Sequence, residues 1–545
     1  MSLPSEYVNA IYKDTGNPAY KGNPFIEALT PIMELKQLKE GLEGKVDFSL
    51  NDLQDKPRQR AHMVAALLDD FFQPLSQHVL LEERISIMIR RGYVSRNLLD
   101  GSLNKHLQNG YERVMSGDLQ SYKFRNVLTT ATCLSLIGCS GSGKSSTLDR
   151  ILATYPQVIY HQQHNFFQLS YLKIECPNNG SQQSLCLNFF REVDKRLGTN
   201  YENSHGLRGR GVPTLLALMS QVANERAIGV LVIDEIQRLK IRKAVGREQM
   251  LEFFVELVNT VGIPVILVGT PKARPLFEVE LQSARRTTGI GSVYWQPMPQ
   301  YPENPNVKSE WVAFTNKLWK YQWLNRRDEV LTDEIRDCWY DLSQGVLDIV
   351  VKLFVLAQLR AIASKLERIT VNVLRSVYND ELKPVHPMLD AIRRGNPTLI
   401  AKYSDLRVED IDKRLLSLQQ KINEIPDEPE LPFSNNEQAM RLYKLLVQTD
   451  CQSEILIPLV EKIFREQPKL TMREMMPVIL DWYDESKQFV DQQPKTPKAT
   501  VVKCADWSSL ETGDLRFVYS QLTKKEDMYS ALKANKLILD LKKVS

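Results

Sequence analysis

Eight consecutive residues, Gly138-Cys139-Ser140-Gly141-Ser142-Gly143-Lys144-Ser145, follow the pattern GxxxxGK[ST] in full. Glycines at these positions let backbone N–H groups turn inward and ring a phosphate. A helix opening at Lys144 adds the favourable end of its dipole to anion binding. Lys144 is placed to neutralise the β- and γ-phosphates, and the Ser145 hydroxyl to ligate Mg²⁺. About 90 residues on, Gly229-Val230-Leu231-Val232-Ile233 runs into Asp234 and Glu235. Carboxylates are costly beside an apolar run and need a task there. Asp234 is expected to hold the Mg²⁺ shell, and Glu235 to orient and polarise an attacking water. Val265–Val268 leads through Gly269 to Thr270, a position suited to sensing a γ-phosphate or water and equally compatible with a plain strand end. Arg285 and Arg286 close an expected helix over 275–284. An arginine supplied by a neighbouring subunit can stabilise charge growing on a γ-phosphate. A helix C-terminus also favours arginine through its dipole alone.

These residues need elements to carry them. From Cys133 onward short apolar runs alternate with longer amphipathic stretches, which predicts an α/β parallel sheet. Strands are expected at 133–137, 169–174, 229–233, 265–268 and 293–295, and helices at 144–154, 185–197, 214–226 and 249–261. Met250, Leu251, Phe254, Leu257 and Val258 share one face of the last helix and read as sheet-packing core. Upstream, 23–26 opens a short helix and 80–90 has apolar residues at helical spacing. After about residue 310 the strands stop, and 311–324, 333–342, 346–366 and 371–380 read as helices. Residues 424–438 and 492–498 are Pro-rich linkers.

Basic residues cluster in two loops. Arg208 and Arg210 lie in a Gly-rich stretch; Arg238, Lys240, Arg242, Lys243 and Arg247 follow the acid pair. Such loops can contact DNA phosphates without reading sequence, and can also be solvated charge runs. Arg90, Arg91, Arg96 and Lys105 make the N-terminal region locally basic, and six lysines lie within 521–545. His161 and His164 have no Cys or carboxylate cluster beside them and read as surface histidines. No Ser–His–Asp or Cys–His nucleophile arrangement is visible.

Lys and Arg number 70 against 66 Asp and Glu, a net charge of +4. That excludes a polybasic protein but not a DNA binder, which depends on local clustering. The seven scattered cysteines lack CxxC spacing and fit a reducing cytoplasm. No charge-free apolar stretch reaches membrane-spanning length, and no signal peptide is visible at the N-terminus.

Together, the phosphate loop, acid pair, polar strand end, terminal arginines and trailing helices resemble an AAA+ ATPase: a P-loop NTPase module with a helical lid and N- and C-terminal extensions. Five further strings resemble the TnsC transposition regulators of Tn-seven-like transposons: 23–29 (NPFIEAL), 106–114 (HLQNGYERV), 151–161 (ILATYPQVIYH), 348–356 (DIVVKLFVL) and 380–387 (DELKPVHP). The resemblance covers most of the chain and fades around 425–440 and 490–500.

It implies an ATP- and Mg²⁺-dependent ATPase that forms a ring or spiral homo-oligomer on double-stranded DNA without reading sequence. The family couples a target-selector protein to transposase and endonuclease subunits during DNA transposition. The implied setting is a bacterial cytoplasm, DNA-associated and away from membranes. Its ATPase positions carry over to Gly138–Ser145, Asp234, Glu235, Thr270 and the Arg285/Arg286 pair. Arg208, Arg210, Lys240, Arg242, Lys243 and Arg247 become expected pore contacts to DNA.

Two positions depart from the pattern. Asp348 stands where a Gly-x-x-Arg lid motif would carry arginine, and Thr270 where asparagine is more frequent, so hydrolysis is expected to be slow and regulatory. The expected division is 1–125 as a DNA- and selector-facing region, 126–305 as ATPase core and 306–423 as lid. A linker with a small helical segment follows at 424–490, then a transposase- or endonuclease-facing tail at 491–545. A helicase loader or initiator ATPase shares the core motifs, and a signalling scaffold that binds ATP without DNA is the alternative of another class.

Overall fold

The computed structural model describes Pro4 and residues 6–124, 131–206, 210–238, 243–273, 291–406, 417–422, 437–447, 453–467, 470, 472–491, 507–508, 510 and 515–522. The chain divides into two compact units, 1–425 and 426–545.

Strand β1 is Val8–Asn9, β2 Cys133–Ile137, β3 Val158–His161, β4 Phe166–Leu169, β5 Tyr171–Glu175, β6 Val230–Asp234, β7 Val265–Gly269 and β8 Gly291–Tyr294. A five-stranded sheet has the order β5-β6-β7-β2-β8, every pairing parallel. All residues of β2, β6 and β7 are buried, as central strands covered on both faces require.

Alternation along each strand sorts the side chains into two layers. Cys133, Leu231, Ile233, Val265 and Leu267 face one core, shared with helices Gln182–Leu197, Val212–Glu225 and Lys243–Val261. Leu134, Leu136, Val230, Val232, Ile266 and Val268 face the other, covered by helices Ser76–Val94 and Lys144–Ala153. Much of that second cover comes from far upstream of the sheet.

The five expected strands correspond to β2, β5, β6, β7 and β8 with one correction, while β1, β3 and most of β4 were not expected. The expected strand over 169–174 is divided at Ser170, whose hydroxyl donates to Pro156 O at 2.6 Å. Before the break, β4 turns back on β3 through Asn165 at φ +46°, and β1 pairs with β3 in a separate three-stranded sheet. His161 lies on β3. It is fully buried, 2.8 Å from Gln168 and 3.0 Å from Tyr12, not at the surface as its sequence context suggests.

The N-terminal basic residues also need correction. Arg90 is buried, donating to Ser86 Oγ at 2.6 Å and Thr30 O at 2.6 Å. Arg96 is fully buried, donating to Gly92 O and Ile228 O, each at 2.8 Å, with Tyr93 under its guanidinium. Both bind chain carbonyls and present no cation to a phosphate backbone.

Beyond the sheet, helices Glu310–Trp319, Asp333–Ser343, Leu347–Ala363 and Val371–Glu381 build a core around Trp311, Trp319, Trp323 and Trp339, with Trp339 stacked on Phe354 at 5.1 Å. Helix Pro57–Asp70 joins this core through Ala61, Val64 and Leu67. Its Arg60 forms a two-pronged pair with Glu367 at 2.7 and 2.8 Å. The first 125 residues are thus shared between two cores. In the second unit, helices Glu437–Val447, Ser453–Glu466 and Met472–Asp491 enclose a core of their own, centred on Leu442, Leu456, Val460 and Ile479. No helix among the described residues is long and apolar enough to cross a membrane.

Candidate functional site: a phosphate-loop cleft under a helical lid

The sheet brings the motif residues together through register. β2 lies between β7 and β8, and β7 pairs with β6, so the ends of β2, β6 and β7 deliver the phosphate loop, Asp234 and Thr270 to one edge. Gly138 N donates to Gly269 O at 3.1 Å, fixing the loop's start against the end of β7. The loop needs its glycines. Gly141 and Gly143 have φ of +77° and +91°, and a Cβ at Gly138 would lie 2.3 Å from Trp295 O.

Lys144 Nζ donates to Gly138 O and Cys139 O, each at 2.7 Å, and Ser142 Oγ donates to Cys139 O at 2.7 Å. Trp295, just past β8, donates from its indole N–H to Ser142 O at 2.8 Å. The same ring stacks on His78 at 5.5 Å, and His78 on Phe72 at 5.0 Å. Burial pushes His78 down to about 4. Its Nδ1 accepts from Leu75 N at 3.1 Å, which leaves the proton of the neutral ring on Nε2.

Ser145 Oγ donates to Asp234 Oδ2 at 2.8 Å, and Lys173 Nζ lies 3.6 Å from the same oxygen. A hydroxyl and a carboxylate set side by side form a hard-oxygen pair suited to a Mg²⁺ that keeps its remaining ligands from water and phosphate. Among the described residues no group of three or more His, Cys, Asp or Glu side chains is arranged to hold a metal.

Glu235 follows with φ +60°, a strained conformation for a side-chain-bearing residue. Its carboxylate accepts from Gln237 Nε2 at 2.5 Å and lies 3.7 Å from Arg238 Nε. Gln237 also accepts, through Oε1, from Thr270 N at 3.1 Å. One amide therefore links Glu235 to Thr270. Arg238 reaches further, to Glu175 at 2.9 Å.

These groups line a cleft of about 670 Å³ with Phe71, Phe72, Gln73 and His78 on one side and Leu347, Asp348, Val351 and Lys352 on another. That volume falls within the range of small-molecule sites. Gln73 Oε1 and His78 Nε2 are buried beside it without a hydrogen-bond partner. The lid wall starts at Gly345, where a Cβ would lie 1.9 Å from Met298 O. Asp348 N donates to Gly141 O at 2.9 Å, so the lid helix begins directly on the phosphate loop. Asp348 pairs with Lys352 at 2.7 Å, one turn along. The lid helix, with Asp348 where the Gly-x-x-Arg pattern carries arginine, thus places Lys352 in the cleft.

Of the remaining sequence candidates, Arg208, Lys240, Arg242, Arg285 and Arg286 lie outside the described residues, as do the side chains of Lys243 and Arg247. Arg210 donates to His205 O at 3.0 Å. Sequence reasoning missed Gln73, His78, Lys173, Gln237, Trp295 and Lys352. Only the lysines, as charges near known motifs, offered a signal.

Residues 127–277 match the AAA domain family, and residues 502–544 match the family described as Tn7 transposition regulator TnsC. No curated protein matches the chain. Among solved structures, a Walker-type ATPase of Pyrococcus abyssi is 15% identical, with 57% of this chain and 88% of that one covered at a TM-score of 0.32. An origin recognition complex chain from Drosophila, in a structure bound to DNA, is 12% identical, with 77% and 90% covered at 0.34. Cdc6p from Pyrobaculum aerophilum is 14% identical, with 60% and 96% covered at 0.27. With an AAA module around its phosphate loop and the TnsC segment near its C-terminus, the chain has the two parts of a TnsC-type AAA+ regulator of transposition.

Proposed function

We propose that this ATPase is an ATP-switched regulator that assembles on target DNA without reading its sequence and couples a target selector to the transposase. The observation that carries the reading is the convergence of Lys144, Ser145, Asp234, Glu235 and Thr270 on one cleft in a chain that also has the TnsC segment. Ser145 and Asp234 would hold Mg²⁺, which supplies charge neutralisation for the phosphates. Lys144 binds the phosphate chain, and Glu235 accepts a proton from the attacking water once Gln237 and Arg238 release it. Thr270 reports the γ-phosphate. Gln73 and His78 offer a buried acceptor and a buried donor, which an adenine edge carrying both would satisfy.

In this reading Arg285 or Arg286 enters a neighbouring subunit's cleft. Arg208, Arg210, Lys240, Arg242, Lys243 and Arg247 line the DNA path. Residues 1–125 meet the selector and 491–545 meet the transposase and endonuclease. Binding of full-length protein to duplex DNA, with and without ATP and across a salt series, tests the proposal. ATP-dependent assembly with a steep salt slope supports it. Equal assembly without nucleotide, or by Lys144→Ala, would overturn the switch.

A further inference from the structure

The lid touches the phosphate end of the cleft a second time, far along the chain from Asp348. Helix Pro397–Tyr403 runs into a turn at Ser404 and Asp405. Ser404 O accepts from Ser140 N at 2.8 Å. The Asp405 carboxylate accepts from Thr270 Oγ1 at 2.5 Å through one oxygen and pairs with Lys272 Nζ at 2.6 Å through the other. Two polar groups at the phosphate end, a loop amide and the strand-end hydroxyl, are therefore both engaged by one two-residue turn.

Each of those donors has a single hydrogen. A Thr270 hydroxyl that donates to Asp405 cannot at the same time donate to a γ-phosphate or to a water beside it. The carboxylate is also an anion beside the place where a further anion would arrive. Its field reaches the loop: burial raises the Cys139 thiol, Lys144 opposes that rise and Asp405 adds to it. Lys272, nearly half exposed, offsets part of the charge from the solvent side.

We infer that Asp405 is a lid-borne latch whose carboxylate competes with the nucleotide's third phosphate for Thr270. A diphosphate leaves the latch closed. A triphosphate displaces it, frees Ser404 from the loop amide and so couples the γ-phosphate to the position of helix Pro397–Tyr403. The inference rests on the reading of the cleft as an ATP site.

The test uses the full chain and compares its affinity for ADP and for a non-hydrolysable ATP analogue by fluorescence displacement. Asp405→Asn keeps the shape and removes the charge. It should tighten the ATP analogue on the order of tenfold while leaving ADP within about twofold. Asp405→Glu keeps the charge and should hold the ratio near that of the unaltered protein. Asp405→Ser serves if the amide variant fails to fold. Equal shifts for both nucleotides, or none in a folded variant, would overturn the latch. If the unaltered protein binds neither nucleotide in a Lys144-dependent way, the ATP-site reading itself fails.

Discussion

Two of the cleft's walls are built differently. On the core wall, Lys144, Ser145, Asp234 and Thr270 sit at strand ends or just past them, and parallel register alone brings those ends together. On the lid wall, Asp348, Lys352, Ser404 and Asp405 come from helices placed by packing around Trp339 and Phe354 and by the close approach of Gly345 to Met298. A sheet edge fixes chemistry through local pattern. A helical lid fixes it through tertiary fit.

If that contrast holds, damage to the core wall should abolish chemistry, whereas damage to the lid wall should tune it. Lys144→Ala should weaken ATP binding on the order of a thousandfold, read by equilibrium binding. Retained affinity would remove Lys144 from the phosphate chain. Glu235→Gln should slow turnover by about a hundredfold while leaving ATP affinity intact, separating chemistry from binding in a steady-state assay.

The third wall, where His78 stacks between Phe72 and Trp295, predicts an acid sensitivity. The folded-state value of His78 is about 4, below the ordinary value, so the unfolded chain takes the proton first. Stability is full above the ordinary histidine value, falls as pH drops through it, and levels off below about 4. Between pH 7 and 5.5 the loss should be about 1 kcal/mol, measured by urea unfolding. His106, also lowered to about 4 by burial, adds a similar slope, so His78→Phe should remove only part of it. The smallest effect is expected at Lys352. Changing it to Ala should weaken ATP by about threefold, as for a partly exposed cation, and an effect as large as that of Lys144→Ala would erase the distinction between the walls.

The same contrast explains what could be read in advance. Strands at 133–137, 229–233 and 265–268 were legible because buried apolar runs lead directly into the motif residues. The β3–β4 hairpin was not: its turn has Asn165 instead of glycine in the left-handed conformation, and its His161 looks like any polar residue until Gln168 and Tyr12 surround it. Arg90 and Arg96 resembled a basic patch because a charge run looks the same whether water or a carbonyl 132 residues away accepts its hydrogens. Asp405 lies outside any motif, 135 residues from Thr270, and only the folded chain brings the two into contact.

The placement of helix Ser76–Val94 has a consequence for how such proteins can be exchanged or engineered. It covers Leu134, Leu136, Val230, Val232, Ile266 and Val268, yet lies outside the AAA match at 127–277. A fragment cut at those borders would keep only helix Lys144–Ala153 on that face of its sheet, and should aggregate through the part left uncovered. Arg60 extends the dependence, since removing it would strand Glu367 in the lid. The heritable block is therefore discontinuous: a chimera that swaps the ATPase between relatives must carry the upstream helices along, and crossovers between residues 60 and 131 should be selected against.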